Sequence, residues 1–254
     1  MLLGSVRVTI REAKSFAQFT KAVEAIVEEA TVSFKPEKVY IREMDASKTT
    51  MVEVSMPKDY FEDYEVTEAI AVGINFYEVS RILKRARRDD KLEIEVPPEG
   101  NMLKLKLIGV STREFRLPSI VKEMSEEREV RLPVKARVVI LSDEMKEIIK
   151  DIQLVGSEFT IESTREEVKF LSEGNGQSVT INLRRGDAAL LELEVEEELV
   201  KSTYGIEYVR KMMEGAKLAE KVTLEYATDA PLILTFQPLE GGVLRYFLAP
   251  ILKS

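Results

Sequence analysis

Arg81, Lys84, Arg85 and Arg88 stand at positions i, i+3, i+4 and i+7 of one stretch, and Arg87 makes them five cations in eight residues. At that spacing side chains share one face of a helix. Phe76, Val79, Ile82, Leu83 and Ala86 fall on the opposite stripe, and within the stretch only Glu78 offsets the charge. Five like charges repel one another unless something negative lies nearby, and a phosphate backbone meets that need. No aromatic residue is interleaved with the cations, so the expected contact is with phosphates, without base stacking or sequence readout. Weaker versions recur along the chain. Arg210, Lys211 and Lys217 oppose a stripe of Val209, Met212, Met213 and Ala216; Lys146 and Lys150 stand at i, i+4; Lys14 and Lys21 stand at i, i+7. Glu24, Glu28, Glu147 and Asp151 intervene in the stretches of Lys21 and Lys146, where an ordinary solvated face explains the charges equally well.

Catalytic chemistry has little to work with. The chain has no histidine and no cysteine, which removes the usual general base, the commonest metal ligand and all thiol chemistry. Acidic pairs are expected by chance among 45 Asp and Glu residues, and Asp187 and Glu192 sit in strand or turn contexts without a metal-ligand pattern. Gly174-Asn175-Gly176 lies between strands and reads as a hairpin turn, not a phosphate loop. Serines and tyrosines lack a histidine to activate them. No cofactor and no metal is implied. An enzyme with an unrecognised carboxylate site, or a protein-only scaffold with no role on DNA, are the alternatives to a phosphate-binding, non-enzymatic protein.

The net charge of −8 argues by itself against a nucleic-acid partner, so the placement of the basic residues decides. Charged residues make up 32% of the chain, while Asn and Gln are scarce, a balance that resembles thermophile proteins. No apolar run reaches the roughly 18 residues of a membrane span, so no membrane partner is expected. The N-terminus lacks a signal-peptide pattern, so an intracellular location is expected, cytoplasmic and nucleoid-associated in a prokaryote.

The elements that must position the basic residues are written twice. Phe16, Phe19, Val23 and Ile26 are echoed by Met145, Ile148, Ile152 and Val155, and Val79, Arg81, Ile82, Leu83 and Ala86 by Val209, Lys211, Met212, Met213 and Ala216. Helices are predicted at about 16–27, 75–88, 142–154 and 205–217. Strands are predicted over 6–10, 31–34, 39–44, 51–56, 65–72, 92–96, 102–108, 114–117, 136–141, 158–163, 167–172, 178–183, 189–195, 221–227, 231–237 and 243–248. Residues 118–133, bracketed by Pro118 and Pro133 and rich in charge, read as a connector. The expected organisation is a domain at 1–117, a connecting loop at 118–133 and a domain at 134–254. The fold class is α+β, with antiparallel sheets and two helices per domain on one face.

Several segments resemble the sliding clamps of the proliferating cell nuclear antigen family, in its archaeal form. Met44-Asp45-Ala46-Ser47-Lys48 is similar to that family's Met-Asp-Ser-Ser loop. Ala71-Val72-Gly73-Ile74-Asn75, running into Val79-Ser80-Arg81-Ile82-Leu83-Lys84, resembles the segment entering its basic helix. Asp229-Ala230-Pro231-Leu232 and Leu244-Arg245-Tyr246-Phe247-Leu248-Ala249-Pro250 resemble its closing strands. The resemblance implies a ring of three subunits, a homotrimer or a heterotrimer of paralogues, whose helices line a hole around duplex DNA held without regard to sequence. It implies a DNA polymerase processivity factor in replication and repair, whose partners are DNA polymerase, flap endonuclease, DNA ligase and the clamp loader. Partner peptides would meet Met44, Val130, Leu132, Pro133, Pro231, Phe247, Ala249 and Pro250. Subunits would join by edge strands, with Arg113, Phe115 and Leu117 on one side and Val179, Ile181 and Leu183 on the other. Two departures stand out. The first helix has Ala17, Gln18 and Glu24 where many members place lysines, and the connector carries Glu126-Glu127-Arg128-Glu129 in place of an apolar stretch, which would fit a subunit of a heterotrimer.

Overall fold

The computed structural model describes residues 5–124, 127, 130–238 and 241–252. The chain divides into unit 1 (residues 1–46, 52–128 and 238–244) and unit 2 (47–51, 129–237 and 245–254). In unit 1 the elements are β1 (Val6–Ile10), α1 (Ala13–Glu24), β2 (Glu29–Lys35), β3 (Lys38–Met44), β4 (Thr50–Pro57), β5 (Asp63–Val66), β6 (Ile70–Asn75), α2 (Phe76–Leu83), β7 (Lys91–Val96), β8 (Met102–Ile108), β9 (Thr112–Pro118) and β10 (Ile120–Val121). They form two antiparallel runs of strands, β5-β1-β7-β8-β9 and β10-β6-β2-β3-β4. Unit 2 holds β11 (Ala136–Leu141), α3 (Ser142–Val155), β12 (Glu158–Ser163), β13 (Glu167–Gly174), β14 (Gln177–Arg184), β15 (Leu190–Val195), β16 (Val200–Gly205), α4 (Ile206–Met212), β17 (Lys221–Tyr226), β18 (Leu232–Phe236) and β19 (Val243–Leu248). Its strands run β14-β13-β12-β16 and β19-β18-β17-β11-β15. Both units are therefore α+β, mainly antiparallel sheet with two helices each.

The apolar stripes read from the sequence are the buried ones. In unit 1, α1 buries Phe16, Phe19 and Val23 and packs against α2, which buries Phe76, Val79 and Leu83. In unit 2, α3 buries Met145, Ile148 and Ile152, and Phe159 stacks on Phe170 at 5.7 Å between ring centroids. Each such aliphatic or aromatic side chain contributes about 1.5–3 kcal/mol by leaving water. A wholly apolar cavity of about 50 Å³ lies in unit 1, with Phe16, Phe19, Val23, Val54 and Val79 among its walls.

Three predicted elements differ from those observed, and β10 and β16 are strands where none was predicted. The strand expected over 65–72 is two strands, β5 and β6. Val66 pairs with Val6 on β1, whereas Ile70 pairs with Phe34 on β2, so the chain changes sheets between them. The helix expected over 75–88 ends at Leu83. Arg85 and Ala86 donate to the carbonyls three residues back, at Ile82 and Leu83, which tightens the last turn. The buried Asp90 carboxylate then takes the Arg87 N–H at 2.7 Å and stops the helix. The helix expected at 205–217 is α-helical to Met212 and continues as a 3-10 turn over Met213–Lys217. The hairpin reading of Gly174-Asn175-Gly176 holds: Gly174 pairs with Gln177, and Asn175 and Gly176 take φ of 52° and 75°, the two positive values that a two-residue turn of this hand requires.

Candidate nucleic-acid interface

Helix α2 starts where the Asn75 side chain accepts the Glu78 N–H at 2.9 Å, an N-cap built by the residue just before the helix. Its outward residues are Tyr77 and Arg81. Arg81 bonds Glu78 at 2.9 Å and lies over the Tyr77 ring at 5.7 Å. Because the helix stops at Leu83, Lys84 and Arg85 sit in the turn that follows, and Arg88 lies beyond it, so the four cations do not share a helix face. They stay concentrated nonetheless. Lys84, Arg85, Arg87 and Arg88 are all exposed, and none forms an ion pair among the described residues.

The other basic positions are differently placed. On α3, Lys146 bonds Asp143 at 2.8 Å and Lys150 bonds Glu147 at 2.7 Å. Lys146 holds the Asp143 carboxyl below the usual range, chiefly through that hydrogen bond. In the α4 segment Arg210 bonds Glu207 at 2.9 Å and Lys217 bonds Glu214 at 2.7 Å, while Lys211 is exposed and forms no ion pair among the described residues. On α1, Lys14 is exposed and Lys21 is half-buried.

Asp90 is a residue that the spacing of cations does not reveal. It is 2% exposed, takes the Arg87 N–H and pairs with Arg113 of β9, whose guanidinium also donates to the Arg85 carbonyl at 2.9 Å. The backbone carbonyl of Asp90 accepts the first N–H of α1, from Ala13, at 2.9 Å. One residue thus fixes the basic turn, the start of α1 and the edge strand. Its sequence signal is slight: an Asp-Asp pair directly after the cationic run.

The strands β9 and β14 are each the last in their run. Arg113, Phe115 and Leu117 pair with Leu107, Leu105 and Leu103, and Val179, Ile181 and Leu183 with Ser172, Phe170 and Val168. Pairs directly opposite share a face, so all six named edge residues sit on the core side of their strands. Arg113 is spent inside its own unit. What each edge leaves free is its backbone.

The residues expected to receive peptides divide between the units. Met44, in unit 1, is exposed at 47%. In unit 2, Val130, Leu132, Pro231 and Pro250 are half-buried, Pro133 and Ala249 are exposed, and Phe247 is buried. The segment after β19 is tied down by Ala249 N–H to the Thr49 carbonyl at 3.0 Å and Ile251 N–H to the Thr203 carbonyl at 2.7 Å. Asp187 accepts the Arg184 N–H at 2.7 Å and Glu192 pairs with Arg137. Among the described residues no group of three or more Asp or Glu is placed to hold a metal ion, and no helix is long and apolar enough to cross a membrane.

Residues 6–120 match the family model of the proliferating cell nuclear antigen N-terminal domain, and residues 132–251 match that of its C-terminal domain. The chain belongs to the proliferating cell nuclear antigen family. It is 36% identical over 238 residues to a DNA polymerase sliding clamp of Thermococcus gammatolerans, covering 94% of this chain and 95% of that one. A crystal structure of proliferating cell nuclear antigen from Thermococcus kodakaraensis matches with a TM-score of 0.91 at 27% identity, over 97% of this chain and 100% of that one. A subunit of a PCNA2–PCNA3 complex from Sulfolobus tokodaii matches with a TM-score of 0.88 at 27% identity, over 96% and 98% of the two chains. The family carries the thermophile relatives that the charge-rich composition suggests.

Proposed function

We infer how this member of the family does its work from where its charge lies. The chain is a DNA sliding clamp, a non-enzymatic processivity factor. It acts inside the cell, on DNA, as one of three subunits that close head to tail around the duplex. The observation that carries this reading is the group of unpaired cations, Lys84, Arg85, Arg87 and Arg88, in a chain of net charge −8. An acidic protein with one concentrated basic surface attracts a polyanion to that surface and repels it elsewhere. Contact with phosphates alone carries no sequence information, and weak contacts permit sliding. The open edges of β9 and β14 support closure by strand pairing between copies, since an unpaired edge invites another strand. The Sulfolobus relative belongs to a complex of two different subunits, which supports assembly with paralogues as well as with identical copies.

Reversing Arg81, Lys84, Arg85 and Arg88 to Glu tests the reading. The expected result is lost stimulation of a DNA polymerase on primed DNA, with the assembly intact by native mass spectrometry. Unchanged stimulation would refute passage of DNA past this surface. Replication and repair partners, namely polymerase, flap endonuclease, ligase and clamp loader, dock through peptides on the segment around Pro231, Ala249 and Pro250 of unit 2. Pro231→Ala should weaken a peptide bearing Gln-x-x-aliphatic-x-x-aromatic-aromatic by about tenfold, the scale of one anchoring contact. Calorimetry showing wild-type affinity would remove Pro231 from the docking site.

A further inference from the structure

A second charged site lies in unit 1, at the hairpin joining β2 and β3. Lys35 and Lys38 are cross-strand partners on either side of Pro36-Glu37. Their ammonium groups stand 5.9 and 5.3 Å from the centre of the Tyr40 ring. The Tyr40 hydroxyl donates to Glu53 at 3.0 Å, and Glu53 also takes Arg42 at 2.7 Å. The Lys35 carbonyl accepts the Tyr64 hydroxyl at 2.5 Å. Both lysines are therefore presented by hydrogen-bonded strands over a fixed aromatic floor.

The occupant is Glu127 from the connector. Its two carboxylate oxygens each accept one ammonium, Lys35 and Lys38, both at 2.5 Å. The lysine side chains are 19% and 25% exposed and the glutamate 29%, so the contact is largely withdrawn from water. Burial would raise the Glu127 pKa, but the hydrogen bonds from the two lysines outweigh it and hold the carboxyl below the usual range. The lysines sit on paired strands, whereas Glu127 belongs to no helix or strand. Of the charged run Glu126–Glu129, Glu127 alone is among the described residues.

We propose that Lys35, Lys38 and Tyr40 form a receiving site for the carboxylate of an acidic, extended segment of a partner protein, and that Glu127 fills this site in the free chain as an internal stand-in. A side-chain carboxylate already sits there, so an acidic peptide is the chemistry the site accepts. A partner must displace Glu127 to bind, and its apparent affinity is reduced by the fraction of time the site is free. The connector is released in the same step. Acidic partners would thus be coupled to connector position, independently of the DNA-facing surface.

The test uses the full chain, a fluorescent octaglutamate peptide and a single-stranded oligonucleotide as the phosphate control, at low salt. Glu127→Gln should bind the peptide about tenfold more tightly than wild type, as expected if the internal carboxylate fills the site about nine-tenths of the time. Adding Lys35→Met and Lys38→Met should abolish that gain, while polymerase stimulation on primed DNA stays at the wild-type level. Equal peptide binding by wild type and Glu127→Gln would overturn the proposal. So would persistence of the gain without the two lysines, or oligonucleotide binding that depends on them when peptide binding does not. Loss of polymerase stimulation in Glu127→Gln would show that the connector acts through the clamp's DNA role, and would overturn the claimed independence.

Discussion

Helix α2 with its following turn in unit 1, and helices α3 and α4 in unit 2, all carry cations, yet most of them are spent differently. In unit 2, Lys146, Lys150, Arg210 and Lys217 each have an acid three residues before them on the same segment. In unit 1 only Arg81 does, and Lys84, Arg85, Arg87 and Arg88 form no ion pair among the described residues. A cation paired within its own helix must give up that partner, or share it, to meet a phosphate. An unpaired one gives up only water and counterions. The two halves of a repeat can thus keep one fold while the electrostatic work falls to one of them.

The largest effect should come from removing that difference. Lys84→Gln with Arg85→Gln and Arg88→Gln takes about nine cations from a three-subunit assembly and should lower DNA affinity by roughly a thousandfold at moderate salt, with a visibly shallower salt dependence. Lys146→Gln with Lys150→Gln should cost less than about fivefold, because those charges are already balanced locally. Equal losses, measured by retention on circular primed DNA, would erase the distinction between the units.

Next comes the device that holds the basic turn. Asp90→Asn breaks a buried pair with Arg113 and weakens the stop at the end of α2. Removing one partner of such a pair typically costs about 3–5 kcal/mol; with Arg113 still 24% exposed, about 3 kcal/mol is expected in chemical denaturation. The end of α4 uses a 3-10 turn, so the comparable change there, Glu220→Gln at an exposed position, should be nearly silent. A stability loss below about 1 kcal/mol for Asp90→Asn would mean that the turn is held by its backbone alone.

This pair of helix ends also marks what the sequence made legible. The apolar stripes, the strand alternation and the duplication specified the architecture, because burial on one face imposes a period that the chain must display. The end of α2 was not legible. Lys84 through Arg88 continue the helical spacing without a glycine or proline, and the stop comes with Asp90, whose carboxylate takes the Arg87 N–H and pairs with Arg113 of β9, a partner distant in sequence. Charge pairing was hidden for a related reason: an acid three residues before a lysine is visible as spacing, but spacing alone does not show which acid a side chain takes. The edge residues followed a third pattern. Alternation located Phe115 and Ile181 on their strands, yet which edge lies open depends on strand order, a property of the whole sheet.

A smaller effect sharpens the comparison from the unit 2 side. Asp143→Asn with Glu147→Gln frees Lys146 and Lys150 and should raise DNA affinity by about threefold, with a steeper salt dependence. Acid acts in the same direction. The Asp143 pKa is depressed in the folded chain, so its stabilising pairing is present above its unfolded pKa and is lost as pH falls through the lower folded value. Helix α3 should therefore lose a little stability only in strong acid, and the Asp143→Asn variant should lose that pH dependence. An unchanged affinity for DNA in the double variant would mean that these lysines do not reach the duplex at all.

The smallest effect tests the footing of α2. Val79 lines the apolar cavity of about 50 Å³ in unit 1 and is 4% exposed. Val79→Ile adds one methylene while keeping the branched β-carbon, so helix propensity barely changes and the added group can enter empty space. Burying it is worth about 0.8 kcal/mol, less whatever rotamer strain the site imposes. A gain of up to about 0.8 kcal/mol in unfolding free energy is expected, with DNA affinity unaltered because Lys84, Arg85 and Arg88 stay where they are. A loss of stability would show that the cavity is shaped to exclude a group from this side. A stability gain accompanied by weaker DNA binding would mean that the basic turn draws on slack beneath its helix, and unit 1 would then differ from unit 2 in mobility as well as in charge.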